Sequence, residues 1–213
     1  MIISPGRNYI FVHAPKTGGT SLAMALETRA MADDILIGDT PKAKRRKKRV
    51  DDLRMRTPGR LWKHSNLADI DGLFDFKRMF IVTLVRNPWD RLVSYYHWLR
   101  MQDWDHTAVR AAKNQDFADF VHDPAVTQAF VEAPFGHYVT DRSGREHEAL
   151  FIRLEHFDQD VRPFEAHLGF ALAPLGVSNT SGRGHYRDYY DDRSRARVAD
   201  ICAPDIARFN YRF

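Results

Sequence analysis

The chain has 213 residues, 44% hydrophobic and 28% charged, with a formal net charge of +4. That composition supports one substantial core and excludes a disordered or fibrous chain. The mild basic excess suits an anionic ligand without naming one, and the single cysteine, Cys202, rules out an internal disulfide. A single domain over residues 1–213 is expected. The start has no apolar h-region behind basic residues, and no run approaches the roughly 20 apolar residues that span a bilayer. A soluble, cytoplasmic protein is therefore expected.

In chain order, "NYIFVHA" reads as a short buried strand of aromatic and β-branched residues. It leads into "PKTGGTS", residues 15–21, and then into the helical pattern "TSLAMALETRAM", with Leu22 and Leu26 on one face. Strand, glycine turn and helix in that order present free N–H groups and a positive dipole end to an anion. Residues 38–60, with prolines, glycines and the run "KAKRRKKR", read as an exposed excursion. "LWKHS" is expected to be a second short strand, and "NLADIDGLF" a helix capped by Ser65 or Asn66.

"RMFIVTLV" has the continuous apolar run of a central parallel strand and ends at Arg86. Asn87 then caps a helix with Pro88 in its first position, and Leu92, Tyr96 and Leu99 form its core stripe. Asp90, Ser94 and His97 fall on nearly the opposite side. Helices are expected in "DFADFVHD" and around residues 124–132, a strand in "ALFIRLE", and a helix in "DQDVRPFEAHLG" that stops at Gly169. A Ser/Gly/Arg loop over 178–185 precedes a last helix from about Ser194 to Arg208, in which Cys202 is a buried hydrophobe. Strands alternating with helices predict an α/β fold, a parallel sheet covered on both faces.

Gly18 and Gly19 allow backbone conformations and approaches that a Cβ resists, and Lys16 is a point charge beside the loop. The pattern G-x-x-x-x-G-K-[ST] of nucleoside-triphosphate loops is absent, and no strand ends in an acidic residue suited to magnesium. An arginine at a strand end, Arg86, and a serine eight residues on, Ser94, can grip one phosphate between them.

"PKTGGTS" resembles the 5′-phosphosulfate loop of sulfotransferases that use 3′-phosphoadenosine 5′-phosphosulfate (PAPS), and "RNPWDRLVSYY" resembles their 3′-phosphate segment. "FIRLEHFDQD", "NTSGRGHYRDYY" and "DIARFNYRF" look like the tail of the carbohydrate (Golgi-type and bacterial) branch; the resemblance is weakest at 32–60 and 103–147. It implies a three-layer, P-loop-like fold with a central parallel sheet, PAPS as donor substrate, and no metal. It implies that Lys16 sits by the oxygen bridging phosphate and sulfate, and that the backbone of Thr17, Gly18, Gly19, Thr20 and Ser21 cradles the 5′-phosphate. It further implies that Arg86 and Ser94 hold the 3′-phosphate, and that Arg183 and Tyr186 in the late loop serve phosphate and adenine.

Such a family moves the sulfuryl group in line onto an acceptor hydroxyl, here expected on a carbohydrate or small glycoconjugate. His64 is the candidate general base, His185 its main rival, and His13 is read as structural. Two other classes stay open: a P-loop kinase or NTPase, which leaves Arg86 and Ser94 without a role, and a non-catalytic anion or nucleic-acid binder using residues 42–49, which leaves the glycine loop unexplained.

Overall fold

The computed structural model describes residues 1–57, 59–172, 175 and 184–213. In chain order the elements are β1 (Ile2–Ser4), β2 (Tyr9–Val12), α1 (Gly19–Thr28), β3 (Ile35–Leu36), α2 (Pro41–Arg45), α3 (Lys47–Arg54), β4 (Phe80–Val85) and α4 (Pro88–Arg100). Then come α5 (Thr107–Asn114), α6 (Phe117–Phe120), α7 (Pro124–Glu132), β5 (Leu150–Arg153), α8 (Phe157–Asp160), α9 (Arg162–Leu168), α10 (Asp192–Ile201) and α11 (Ala203–Phe209). They fall into two compact units, Met1–Val85 with Phe135–Ser178, and Arg86–Pro134 with Asn179–Phe213.

The first unit holds a five-stranded mixed sheet in the order β3-β1-β2-β4-β5. β2, β4 and β5 are parallel, with Val12 opposite Thr83 and Val85 opposite Arg153. The expectation of an all-parallel sheet is corrected at one edge, where β1 pairs antiparallel with both β2 and β3. The reason is local: Asn8 N–H donates to Pro5 O at 3.2 Å, and Asn8 takes φ 51°, a left-handed conformation asparagine tolerates. A turn this tight can only return the chain antiparallel, because a parallel partner needs a long crossover.

Both faces of the sheet are buried. Tyr9, Phe11, Val82, Leu84 and Ile152 on one face pack with Leu22 and Leu26 of α1 and Phe164 of α9, while Ile3, Ile10, Val12 and Ile81 are buried on the other. Gly169, at φ 74°, ends α9 as the sequence reading expects.

Two further expectations are corrected here, and a third region shows order beyond its expected exposure. Leu61–Ser65 is a turn and not a strand: Ser65 N–H donates to Trp62 O, Trp62 N–H donates to Ser65 Oγ, and Ser65 Oγ–H donates to Arg60 O. "NLADIDGLF" forms only one 3-10 turn, Leu67–Ile70, and Asn66 is its cap, with Asp69 closing the capping box. Residues 38–60 are helical over α2 and α3 and bury Ala43, Val50 and Leu53, because those apolar residues recur at helical spacing within the basic run.

In the second unit, Asn87 Oδ1 accepts from Trp89 and Asp90 N–H, and Pro88 opens α4 as expected. Leu92, Tyr96 and Leu99 are buried with Ala108 and Ala112 of α5, Phe117 and Phe120 of α6, and Val198 of α10. The last helix is broken at Cys202 into α10 and α11, with Pro204 in the first turn of α11. Cys202 is buried, and burial pushes its thiol up to about 12, so it is inert as a nucleophile. Among the described residues, no helix is long and apolar enough to cross a membrane.

Candidate active site

The glycine loop leaves the C-terminal end of β2, on the sheet edge where open α/β folds bind ligands. Two of its residues are left-handed, Lys16 at φ 64° and Gly18 at φ 82°. For lysine that conformation costs about 1–2 kcal/mol, so the loop holds Lys16 against its own preference. Alternation of such residues with right-handed ones turns successive N–H groups toward one concavity, the backbone arrangement that receives anions. Gly18 is also the N-cap of α1, so the first N–H groups of that helix open onto the same loop.

A side chain at either glycine would be strained. A Cβ at Gly18 would lie 3.0 Å from Leu154 Cδ1, just past β5. A Cβ at Gly19 would fall on the imidazole of His13, far inside contact distance. The two glycines thus let the loop settle between a leucine and a histidine. Thr17 is fully buried and its hydroxyl donates to Ala14 O at 2.8 Å. Its side chain therefore fastens the turn, leaving its backbone for a ligand. Thr20 and Ser21 are half-buried at the start of α1, and Ser21 N–H donates to Gly18 O at 3.0 Å.

His13 is buried, as the sequence reading expects of a structural residue, and burial holds its pKa well below the ordinary histidine value. Its ring centroid lies 4.6 Å from that of His64, edge to face, and its carbonyl accepts from His64 Nδ1 at 2.8 Å. Because a carbonyl can only accept, Nδ1 carries the proton and Nε2 carries the lone pair. Burial pushes the pKa of His64 down to about 4, so the ring is neutral near pH 7. Trp62 closes on His64 from another side, ring to ring at 5.0 Å. The Lys63 carbonyl beside it accepts from the Met1 ammonium at 2.8 Å, which pins the turn. From the loop, then, a continuous series of contacts runs Gly19, His13, His64, Trp62.

In the second unit Arg86 and Asp90 form an ion pair, with Nε and Nη2 of the arginine 2.8 and 2.7 Å from the same Oδ2. The guanidinium is thereby aimed along the α4 face on which Ser94 follows Asp90 by one turn and His97 by two. Ser94 is half-buried there, and His97 Nε2 lies 2.9 Å from Tyr189 Oη. Tyr186 packs edge-on to Phe213 at 5.7 Å and beside His185 at 4.7 Å, part of the aromatic rim of this unit's core. His185 accepts from Arg187 N–H at the start of a 3-10 turn, a capping use of the same ring. Arg183 lies outside the described residues.

The first unit therefore brings Lys16, Thr17, Gly18, Gly19, Thr20, Ser21 and His64 into one neighbourhood, and the second holds Arg86 and Ser94 on one helix face. Sequence reasoning missed Leu154, which backs Gly18, and Trp62, which flanks His64. Neither carries a local signal, since both are placed by the sheet edge and the turn. Among the described residues, no group of three or more His, Cys, Asp or Glu side chains is placed to hold a metal ion.

Residues 15–163 match the sulfotransferase domain family. The chain belongs to that family. In fold it is similar to the crystal structure of mouse sulfotransferase SULT7A1 complexed with PAP, at TM-score 0.55 and 17% identity, covering 96% of this chain and 86% of the mouse one. No curated protein matches. The protein is accordingly a sulfotransferase, and the glycine loop lies inside the matched segment together with His64, Arg86 and Ser94.

Proposed function

We propose that this sulfotransferase transfers the sulfuryl group of PAPS in line to a hydroxyl of a carbohydrate or small glycoconjugate, with His64 as general base and Lys16 at the leaving oxygen. The observation that carries the proposal is the succession Gly19, His13, His64, which sets a neutral imidazole of fixed tautomer beside a phosphate-type loop. What supports a phosphate at the loop is its left-handed Lys16 and Gly18, the backbone conformation of anion-binding nests, together with the first N–H groups of α1, which follow Gly18. The donor supplies an activated sulfuryl group on a good leaving group; the chain's residues bind, orient and move one proton.

In this scheme the backbone of residues 17–21 takes the 5′-phosphate, and Arg86 and Ser94 take the 3′-phosphate. Asp90 keeps the Arg86 guanidinium in one orientation, and Tyr186 and Arg183 serve the nucleotide from the late loop. Nε2 of His64 accepts the acceptor's proton as its oxygen bonds to sulfur, and Lys16 stabilises the negative charge that grows on the departing phosphate oxygen. Positioning and charge stabilisation dominate such group transfers, as in phosphoryl transfer. The sheet with helices around it is read as the three-layer, P-loop-like arrangement with one antiparallel edge, and the whole chain as one catalytic domain of the carbohydrate branch working in the cytoplasm.

The test is calorimetric titration with adenosine 3′,5′-bisphosphate, against adenosine 5′-phosphate as control, on the wild type and Arg86→Ala. Binding without metal that needs the 3′-phosphate and is lost in the variant is the expected result. Equal, weak binding of both nucleotides would overturn the donor assignment and bring back the kinase reading.

A further inference from the structure

The basic run does not stand away from the protein. Thr40 caps α2 by accepting from Ala43 N–H, and its hydroxyl is bonded to the buried Glu27 carboxylate at 2.7–2.8 Å. The Lys42 ammonium donates to the Glu27 carbonyl, and Arg46 Nη1 donates to Met31 O at 2.7 Å. Part of the run's charge is thus spent on tying α2 to the end of α1. Two more of its cations, Lys44 and Lys47, border a cleft of about 510 Å³ within the first unit.

Five cationic side chains line that cleft, Lys44, Lys47, Arg54, Arg60 and Lys63, against one carboxylate, Asp39. Asp39 is already matched, since Lys63 Nζ bonds its Oδ2 at 2.6 Å. Arg54 is matched outside the cleft by Asp51 at 2.8 Å. The remaining excess of positive charge meets an apolar floor that includes Leu36 and Val50 and a wall formed by Trp62, over whose ring Arg60 lies at 5.4 Å. Charge and an aromatic face in one recess suit a ring-shaped ligand that carries an anionic group.

The cleft also adjoins the neighbourhood of the proposed base. Ile37, Gly38, Asp39 and Lys63 border both the cleft and a narrow crevice that reaches His13 and Thr20 of the glycine loop. Trp62, on the cleft wall, touches His64. The cleft and the proposed base thus share Trp62 as a neighbour.

We propose that the cleft is the acceptor subsite and that the acceptor is anionic, a hydroxylated ring bearing a carboxylate, sulfate or phosphate held by Lys44, Lys47 and Arg60 against Trp62. The proposal rests on the sulfotransferase reading of the same unit. Its charge requirement is met by a carboxylate or by a tetrahedral oxyanion, and three sugars of one ring shape separate these sources: glucose, glucuronate and glucose 6-phosphate. Each is titrated into the full chain saturated with adenosine 3′,5′-bisphosphate, with Trp fluorescence and calorimetry as readouts, on the wild type and on Lys44→Ser/Lys47→Ser.

The charged sugars are expected to bind the wild type at least about tenfold more tightly than glucose, with the advantage lost in the double variant and reduced by added salt. If glucuronate binds and glucose 6-phosphate does not, the subsite is for carboxylates; the reverse assigns it to tetrahedral oxyanions. Equal affinity for all three sugars, or no binding of any, overturns the proposal. So does a 20-nucleotide single-stranded DNA that binds with steep salt dependence and displaces the charged sugars, since that marks a general polyanion surface. Adenosine 3′,5′-bisphosphate binding is measured in the same cell, so failure of the donor site is seen separately from failure of the acceptor subsite.

Discussion

The glycine loop, as proposed donor site, and the basic segment behind it, as proposed acceptor site, would meet anions by different means. In the loop, charge comes from backbone dipoles and one lysine, and position comes from contacts with no slack: Gly18 against Leu154, Gly19 against His13. In the segment over residues 41–63, charge comes from long side chains, some of them tied down by Glu27, Met31, Asp39 and Asp51, while Lys44 and Lys47 stand exposed on short helices. A site that must hold a reacting phosphate to a fraction of an ångström needs the first construction. A site that has only to retain and orient an acceptor can use the second, in which each contact is weaker and replaceable. Substitutions in the two regions should therefore differ in kind: in the loop they damage fold and chemistry together, while at the exposed cations of the segment they damage binding alone.

The largest effect is expected from Gly19→Ala. The added methyl would overlap the His13 ring, and overpacking of a buried contact costs about 1–3 kcal/mol. Because His13 carries His64 on its carbonyl, the displacement also reaches the proposed base. Sulfuryl transfer should fall to background, and thermal unfolding should shift down by several degrees. A variant with normal stability and activity would show that the loop is loosely held and would dissolve the contrast.

His64→Gln comes next, with an expected loss of about 10²–10⁴-fold in kcat and little change in adenosine 3′,5′-bisphosphate affinity. The pH dependence sharpens this. His64 has its pKa lowered to about 4 by burial, below the ordinary histidine value, so its neutral form persists into acid. The acidic limb of kcat/KM should lie near pH 4 and not near 6.5, and the limb should vanish in the glutamine variant. The same shift has a stability sign. The fold favours neutral His13 and His64, so their contribution is complete above the unfolded pKa near 6.5 and is lost as pH falls toward 4. An activity limb at 6.5 would instead point to an exposed base.

What the sequence disclosed follows the range of the forces that place each residue. β2, the glycine turn, α1, β4 and the capped start of α4 were legible because each depends on neighbours in sequence: an apolar run, a glycine pair, an Asn-Pro cap. The histidine in "LWKHS" is a candidate base through its place after the first strand–helix unit, although its element is a turn, and its bond to the carbonyl of a histidine 51 residues earlier was not legible. β1 and β3 escaped notice because they are short and owe their order to pairing. The basic run reads as exposed, as most of its cations are, but its helices went unread. Its charge is conspicuous, but Ala43, Val50 and Leu53, which fold it down, are sparse, and the Thr40–Glu27 bond that anchors it joins residues far apart in sequence.

Two smaller effects test the other side of the comparison. Thr40→Val removes the cap of α2 and the hydroxyl donor on Glu27, where burial already holds the carboxyl above its usual range. A lost cap costs about 0.5–2 kcal/mol, so melting should move by a few degrees, with protease cleavage appearing in residues 41–54. Binding of the charged sugar should weaken along with it, since the lysines lose their footing, while adenosine 3′,5′-bisphosphate affinity stays put. A Thr40→Val protein that kept full sugar affinity would mean that α2 is not what presents the cations.

The smallest effect on the fold is expected from Lys44→Ser. Lys44 is exposed on the last turn of α2 and borders the cleft. Its charge lies near the C-terminal end of that short helix, a contribution screened by solvent, and surface substitutions of this kind change stability by no more than about 0.5 kcal/mol. Its neighbours are other cations, so removing it relieves as much repulsion as it forfeits attraction. Melting should be unchanged within experimental scatter, and only the affinity for an anionic sugar should fall. If Lys44→Ser instead destabilised the protein as much as Gly19→Ala, the charge would be holding the fold, and the basic segment would belong with the glycine loop as a structural support.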